Sequence, residues 1–551
     1  MTPIAPLLRV PPFPGSHPVS LVGASTAASR ISDAEVEEAN RAIARARIGG
    51  DYWGSQPPLP QLPYTLVRVR DTQLRSSAIS SLAGRGTLLC WTDAVPVAPS
   101  SDASFVSGRC DPWHLVSGAS RVIVDADDEL LLIAALAGKP VHFPEDVGSA
   151  KGAGATGLLA AVKDNLARRA YANPFTGEAM NLSGAIELCA FWRGLIDSNR
   201  PIAAAIGFAA WKQTTAAPLL WAGSAAVPFK TSPHLLAAGD QVAAWKSRIS
   251  PSTLAQLERQ GVQLVEVEDG FIRSVGLGAD CVPPLSLVVD RLGAYFDPQR
   301  PSELEFIIEE GDFPSALLDR ARRLRELIIE RGVSKYAVGQ HAIERRAGGR
   351  RHILVPGQVE DDRSVLCGGG AIRTNIDLLS QVKRDSPDAY IIYKPHPDVE
   401  AGHRIGALSD EETMHYADEI VRDRPISSWI EMVDEIHVNT SLAGFEGLMR
   451  GKPVTTHGVP FYAGWGLTRD LGAVPDRRTA RRSLDELVAA TLLLYPRYLD
   501  PVTRIPCTPE ILVRRLADGV GAQRGGPLVP LRRLQGQVRR RLASLRNWGR
   551  W

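Results

Sequence analysis

Residues Ile123 through Val141 align without gaps on Ile436 through Val454. Both copies read as a strand, a polar turn, an apolar helix and then Gly-Lys-Pro-Val. A strand that reaches its next strand through a helix forms a parallel pair, because parallel strands need a long crossover. Using that unit twice commits the chain to parallel α/β sheets and points to internal duplication. Short apolar runs extend the pattern. Thr65–Val69, Thr87–Trp91 and Arg121–Val124 read as strands in the first part of the chain. Ile202–Ile206, Val262–Val267, Leu285–Val289, His352–Val355, Tyr390–Tyr393 and Glu435–Val438 follow, alternating with helical stretches.

A chain of 551 residues exceeds what one core supports. The pattern divides it into six parts. Residues 1–30, rich in Pro, Ser and Ala, are expected to be ill-ordered. Residues 31–158 form a partial α/β copy, and 159–200 a helical bridge. Residues 201–345 and 346–512 form two Rossmann-like domains facing across a cleft, the usual place for a ligand between two sheets. Residues 513–551 form a basic tail with ten arginines and one acid. In that tail Leu531, Leu534, Val538, Leu542, Leu545 and Trp548 share one helical face. The expected partner is an anionic membrane surface rather than nucleic acid.

Net charge is only +2, so bulk electrostatics name no partner. The six cysteines are scattered, without a CxxC pair or a Cys/His cluster, so no metal site is expected. No signal-peptide pattern and no membrane-length apolar run is present, which gives a cytoplasmic expectation.

The chemistry concentrates at strand ends, where open α/β sheets bind ligands. Tyr393-Lys394-Pro395-His396-Pro397-Asp398 follows one strand. Val438-Asn439-Thr440-Ser441 follows another and opens a helix that continues through Gly444 and Glu446. A lysine, a histidine and a helix N-terminus converging on one place suit a phosphate. The first copy carries Ala126-Asp127-Asp128 where the second has Asn439-Thr440-Ser441. Acids there satisfy the helix dipole themselves and repel phosphate, so the first copy reads as non-catalytic. Glu268-Asp269-Gly270 ends a third strand. Two adjacent carboxylates can supply a general base and an orienting group. Arg273 lies four residues on. Gln358-Val359-Glu360-Asp361-Asp362 follows a fourth strand. Phe461-Tyr462-Ala463-Gly464-Trp465 reads as an exposed aromatic loop able to stack on a base or a sugar.

These motifs together resemble a known family. Glu268–Gly278, Pro284–Val288, Gly357–Asp362, Lys394–Asp398, Ser441–Glu446, Gly451–Val454 and Pro460–Thr468 look like those of the capsular polysaccharide β-Kdo transferases of the KpsC/LipB type. The resemblance covers about Tyr171 to Arg497. It implies a GT-B-like module of two facing Rossmann-like domains, preceded by a partial, degenerate copy. It implies a retaining transferase that takes Kdo from CMP-Kdo and adds it to a glycolipid acceptor at the cytoplasmic face of the inner membrane, with no cofactor required. On that reading Asp362 is the nucleophile and Glu268, with Asp269 beside it, the base, although these two assignments can be exchanged. His396 and Lys394 hold the CMP phosphate, with Pro397, Gln358, Asn439, Thr440, Ser441 and Gly444 around the nucleotide and Glu446 on its ribose. Arg273 pairs with the Kdo carboxylate, and Tyr462 and Trp465 contact the sugar. Two other readings stand beside this one: a non-catalytic component working with other capsule assembly or export proteins, and a transferase using another CMP-sugar.

Overall fold

The computed structural model describes residues 4–23, 31–60, 63–70, 86–93, 103–146, 154–229, 231–274, 281–335, 339, 342–346, 349–402 and 404–520. They fall into two compact units. One comprises Met1–Pro201 with Leu220–Val227, the other Ile202–Leu219 with Pro228 onward.

The first unit holds a parallel sheet of β1 (Tyr64–Val69), β2 (Leu88–Thr92), β3 (Ala103–Ser107), β4 (Ala119–Ile123) and β5 (Val141–His142), in the order β3-β2-β1-β4-β5. Strands whose every residue is buried read as unbroken apolar runs, and Leu88–Thr92 is one of them. An amphipathic helix, Asp33–Ala46, starts at a Ser32/Glu35 capping box and buries Val36, Ala39 and Ile43. A hairpin of β6 (Tyr171–Ala172) and β7 (Ala179–Met180) precedes the Leu182–Asn199 helix. The proline-rich start departs from expectation. Leu7, Leu8, Phe13 and Leu21 are buried, and Phe13 packs edge-on against Trp221 at 5.1 Å. Four large apolar anchors among the prolines hold an extended segment that composition alone labels disordered.

The second unit contains two sheets. The first contains β8 (Ile202–Ile206), β9 (Gln241–Ala244), β10 (Gln263–Asp269) and β11 (Ser286–Asp290). The second is wholly parallel: β12 (His352–Pro356), β13 (Tyr390–Lys394), β14 (Glu419–Ile420), β15 (Glu435–Val438), β16 (Val454–Thr456) and β17 (Arg469–Asp470), in the order β14-β13-β12-β15-β16-β17. This is the doubly wound Rossmann order, and it reverses between β12 and β15. After a π-helical turn at Ala489–Leu494 the chain crosses back. Its β18 (Arg497–Leu499) pairs antiparallel with β11, and β19 (Pro506–Cys507) pairs with β18. The 346–512 segment therefore does not stay on one sheet. Nor does the basic tail begin at 513: Val513 and Leu516 are buried in the Pro509–Ala517 helix. The arginine-rich face from Leu531 to Trp548 lies outside the described residues. Together the two Rossmann-like lobes make the α/β, GT-B-like architecture.

Both copies of the internal repeat are strand–helix–strand crossovers. In the first, β4 leads through Leu130–Leu136 to β5; in the second, β15 leads through Leu442–Met449 to β16. They differ at the helix start. Asp128 is buried, and its carboxylate accepts the Leu130 N–H at 2.9 Å. Arg68 and Arg70 lie beside Asp128 and Asp127, at 3.3 and 2.8 Å. The protein's own acids fill the place a phosphate would take.

Candidate active site

The second unit carries a cleft of about 1080 Å³ lined from both of its sheets. On the parallel sheet the cleft sits at the β12/β15 switch point, where the following loops diverge. Gly357 leaves β12 with its N–H on the Lys394 carbonyl, 2.8 Å away. A Cβ there would lie 2.5 Å from the Tyr393 hydroxyl, so the turn needs glycine. Gln358 then reaches across the switch point. Its Nε2 donates to Thr440 Oγ1 and its Oε1 accepts the Thr440 N–H, both at 3.0 Å. The Gln358 amide is thus a strap between two loops, not an unengaged nucleotide contact. Ser441 caps the Leu442–Met449 helix by accepting the Ala443 N–H at 3.2 Å. The N–H groups of Ser441 and Leu442, two cleft-lining residues, have no acceptor among the described residues.

Lys394 ends β13 and is only 8% exposed, and its ammonium makes no hydrogen bond or ion pair among the described residues. Burial lowers its pKa. A buried ammonium without a partner calls for an anion. His396 stands beside it as the cap of the short Pro397–Glu400 helix. Its Nδ1 accepts the Asp398 N–H at 3.1 Å, so the neutral ring carries its proton on Nε2. Burial first, then Lys335, pull its pKa down to about 4. Pro397 lines the same wall. Glu446 is 5% exposed. Its Oε1 accepts the Lys335 N–H at 3.1 Å, while Oε2 makes no hydrogen bond, and burial raises its pKa. An orphaned acceptor at the cleft suits a hydroxyl-bearing ligand such as a ribose.

From the other sheet, β10 delivers Glu268 and Asp269. Asp269 is clamped by Lys212 on Oδ1 at 3.2 Å and by Arg273 on Oδ2 at 2.9 Å. Burial would raise its pKa, but Arg273 and Lys212 outweigh that and hold it well below the usual carboxylate range. Glu268 goes the other way: burial, then the adjacent Asp269 charge, push it up to about 8. Arg363 lies 3.4 Å from both Glu268 and Glu266 and stacks on Phe296, 5.0 Å from the ring centroid. Its neighbour Asp362 lies beyond the end of β12 rather than on it, capping the Arg363–Gly368 helix. Oδ1 accepts the Ser364 N–H at 3.0 Å and the Ser364 hydroxyl at 2.8 Å. Oδ2 has no partner among the described residues, so a carboxylate oxygen remains available to attack.

Several expected contacts are replaced. Tyr462 and Trp465 are fully buried. Tyr462 donates to the Ser441 carbonyl, and Trp465 Nε1 to the Phe461 carbonyl at 2.8 Å. Tyr462 braces the helix start from behind, and these two rings are core rather than a stacking surface, while Phe461 of the same loop lines the cleft. Gly444 packs against that tyrosine; a Cβ would lie 2.3 Å from its hydroxyl. Asn439 is buried and donates to the Ile372 carbonyl at 2.9 Å. Neither Asn439 nor Gly444 lines the cleft. Arg273 is fully buried, with its donors on Asp269, Ser274 Oγ at 2.9 Å and the Val282 carbonyl at 2.6 Å. These bonds make it the group that holds Asp269 in place. Sequence reasoning missed Lys212, which sits 3.1 Å above the Trp245 ring, and Arg363. A lysine directly after Trp211 in the first helix beyond β8 was the available signal. Among the described residues, no group of three or more His, Cys, Asp or Glu is placed to hold a metal.

A family model described as capsule polysaccharide biosynthesis protein matches residues 240–498. The solved β-Kdo 2,7 transferase of Thermosulfurimonas dismutans KpsC is 34% identical over 57% of this chain and 99% of that one, with a TM-score of 0.47. The chain belongs to the capsule polysaccharide biosynthesis family. The solved β-Kdo 2,4 transferase of the same KpsC is 33% identical over 57% of this chain and 98% of its own, with a TM-score of 0.49. The capsule polysaccharide modification protein LipA of Neisseria meningitidis serogroup A is 41% identical over 354 residues, 63% of this family member and 50% of LipA. The lipopolysaccharide-processing protein LpsZ of Rhizobium meliloti is 48% identical over 244 residues, 44% of this chain and 55% of LpsZ. The chain spans about half the length of the curated relatives it matches.

Proposed function

We propose that this chain is a retaining glycosyltransferase that moves Kdo from CMP-Kdo to a glycolipid in capsule biosynthesis. The observation that carries the reading is the cleft's two-sided chemistry. Lys394, whose ammonium has no partner among the described residues, His396 and the open helix start make an anion pocket on one sheet. Glu268 faces the cleft from the other sheet, near Asp362. In the first step Asp362 Oδ2 attacks the anomeric carbon. The bond to the CMP phosphate breaks and its electron pair leaves with that phosphate. Lys394, the His396 Nε2–H and the Ser441 and Leu442 N–H groups stabilise the departing charge. In the second step ionised Glu268 takes the acceptor's hydroxyl proton, the oxygen attacks the same carbon, and the bond to Asp362 breaks. Two inversions give retention. Glu446 holds the ribose. The anion pocket supplies the charge stabilisation that a metal would otherwise give, so the reading requires no cofactor. The identities to the two KpsC transferases support Kdo as the sugar.

The test is incubation with CMP-Kdo and a Kdo-primed glycolipid, followed by product mass and anomeric configuration by NMR. An inverted linkage, or no transfer with a competent acceptor, would sink the proposal. No described helix is long and apolar enough to cross a membrane. We assign membrane contact at the inner cytoplasmic face to the arginine-rich end from Leu531 to Trp548. Binding to anionic liposomes should vanish at high salt and on truncation after Gly525.

A further inference from the structure

The cleft has a second cationic wall, opposite the anion pocket, that the proposed chemistry leaves unused. It is built by the turns after β8 and β9. Trp211 and Lys212 open the first helix beyond β8, and Trp245, Ser247 and Arg248 follow β9. All five line the cleft. The Lys212 ammonium sits between two indoles, 3.1 Å from the Trp245 ring centroid and 5.3 Å from that of Trp211. That contact, with the bond to Asp269, fixes Lys212 and holds Trp211 beside it. Trp245 is buried, whereas Trp211 keeps a partly exposed face. Ser247 and Arg248 are exposed on a short 3₁₀ turn, anchored by the Arg248 N–H on the Trp245 carbonyl at 3.0 Å. Among the described residues, neither the Arg248 guanidinium nor the Ser247 hydroxyl has a partner. The wall therefore offers one unengaged guanidinium, one hydroxyl and one aromatic face. That set matches a carboxylate-bearing sugar: a planar fork for the carboxylate and a flat surface for the ring.

We propose that Arg248 and Trp211 form the subsite for an acidic sugar at the acceptor's reactive end, with Arg248 pairing its carboxylate. This rests on the transferase reading and deepens it. The donor phosphate has its own cations across the cleft, so a cation on this wall serves a different anion. Its position places that sugar on the side from which Glu268 takes the hydroxyl proton. The donor's own carboxylate has the same chemistry, so the test separates the two sources.

Full-length protein and its Arg248→Gln and Trp211→Leu variants are compared in two assays. One is hydrolysis of CMP-Kdo without acceptor; the other is transfer to a glycolipid ending in Kdo, or in Kdo with its carboxyl reduced to an alcohol. Arg248→Gln is expected to raise the KM for the acidic acceptor about ten- to a hundred-fold, the loss of a charge-assisted pair. Donor KM in hydrolysis should stay unchanged. The wild type should show the same loss with the reduced acceptor, and Arg248→Gln should no longer distinguish the two acceptors. Trp211→Leu should raise KM for both acceptors alike. A raised donor KM in hydrolysis would assign the carboxylate to the donor and overturn the proposal. An unchanged acceptor KM in Arg248→Gln would overturn it too. Wild-type protein inert in both assays would instead remove the transferase reading, and this inference with it.

Discussion

Replacing His396 with alanine probes the anion pocket most directly. Asp398 N–H occupies Nδ1, so the proton sits on Nε2. With its pKa pulled down to about 4 by burial and Lys335, the ring is neutral between about pH 5.5 and 8. A neutral N–H on an ionised phosphate contributes about 1.5–3 kcal/mol, roughly ten- to a hundred-fold in Kd. The substitution also removes the cap of the Pro397–Glu400 helix. That costs about 0.5–2 kcal/mol of stability and lowers Tm rather than affinity. Calorimetric titration of CMP into wild type and His396→Ala over that pH range, with thermal melts alongside, separates the two effects. The expected outcome is a constant ratio of the two Kd values, because the phosphate's own titration affects both proteins alike. A ratio near one would remove His396 from the site. A ratio that grows steeply as pH falls from about 7 to 6 would show that the ring binds as a cation and refute the neutral-donor argument.

Glu268→Gln should cut turnover about 10²–10⁴-fold and Asp362→Asn at least as much, with CMP affinity within a few-fold of wild type in both; single-turnover transfer and titration check this. Glu268 should also mark the pH dependence of stability. Its folded pKa, pushed up to about 8 by burial and Asp269, lies above the unfolded value of about 4.3. The folded state therefore binds more protons between those values, and stability falls as pH rises through that window. Melts from about pH 5 to 9 should show Glu268→Gln with a flatter Tm profile than wild type. The whole chain should bind one CMP in calorimetry, since Asp128 already caps the equivalent helix start in the first unit; a stoichiometry of two would contradict that.

The strands were legible because the fully buried ones, such as Leu88–Thr92 and His352–Pro356, have few ways to appear in sequence other than as short apolar runs. The site was legible where a motif directly follows such a run, as with Lys394 and His396 after β13. It was misread where burial depends on distant partners. Nothing local to Tyr462 and Trp465 reveals that a glycine at 444 makes room for the tyrosine ring. Arg273 looked available because a guanidinium after an acidic turn is usually solvated; only the fold puts Asp269, Ser274 and the Val282 carbonyl around it. Lys212 and Arg363 went unnoticed because each acquires its role from the opposing loop or strand. The crossing back of β18 and β19 was likewise invisible, since short edge strands carry almost no periodicity.

That crossing sets a timetable for synthesis. When a ribosome has finished Asp290, the sheet begun at Ile202 has its first four strands, but the far edge of β11 waits. Its partner Tyr498, which pairs with Ser286, is made more than two hundred residues later. At about 5–20 residues per second, the nascent chain carries that edge open for roughly ten to forty seconds. Leu287, Val288 and Val289 make it an apolar edge, the kind that invites wrong pairing with a neighbouring chain. The lobe started first is thus completed last. A stalled or clipped product lacking its final strands would leave the sheet begun at Ile202 open, while the parallel sheet made in between could already be whole.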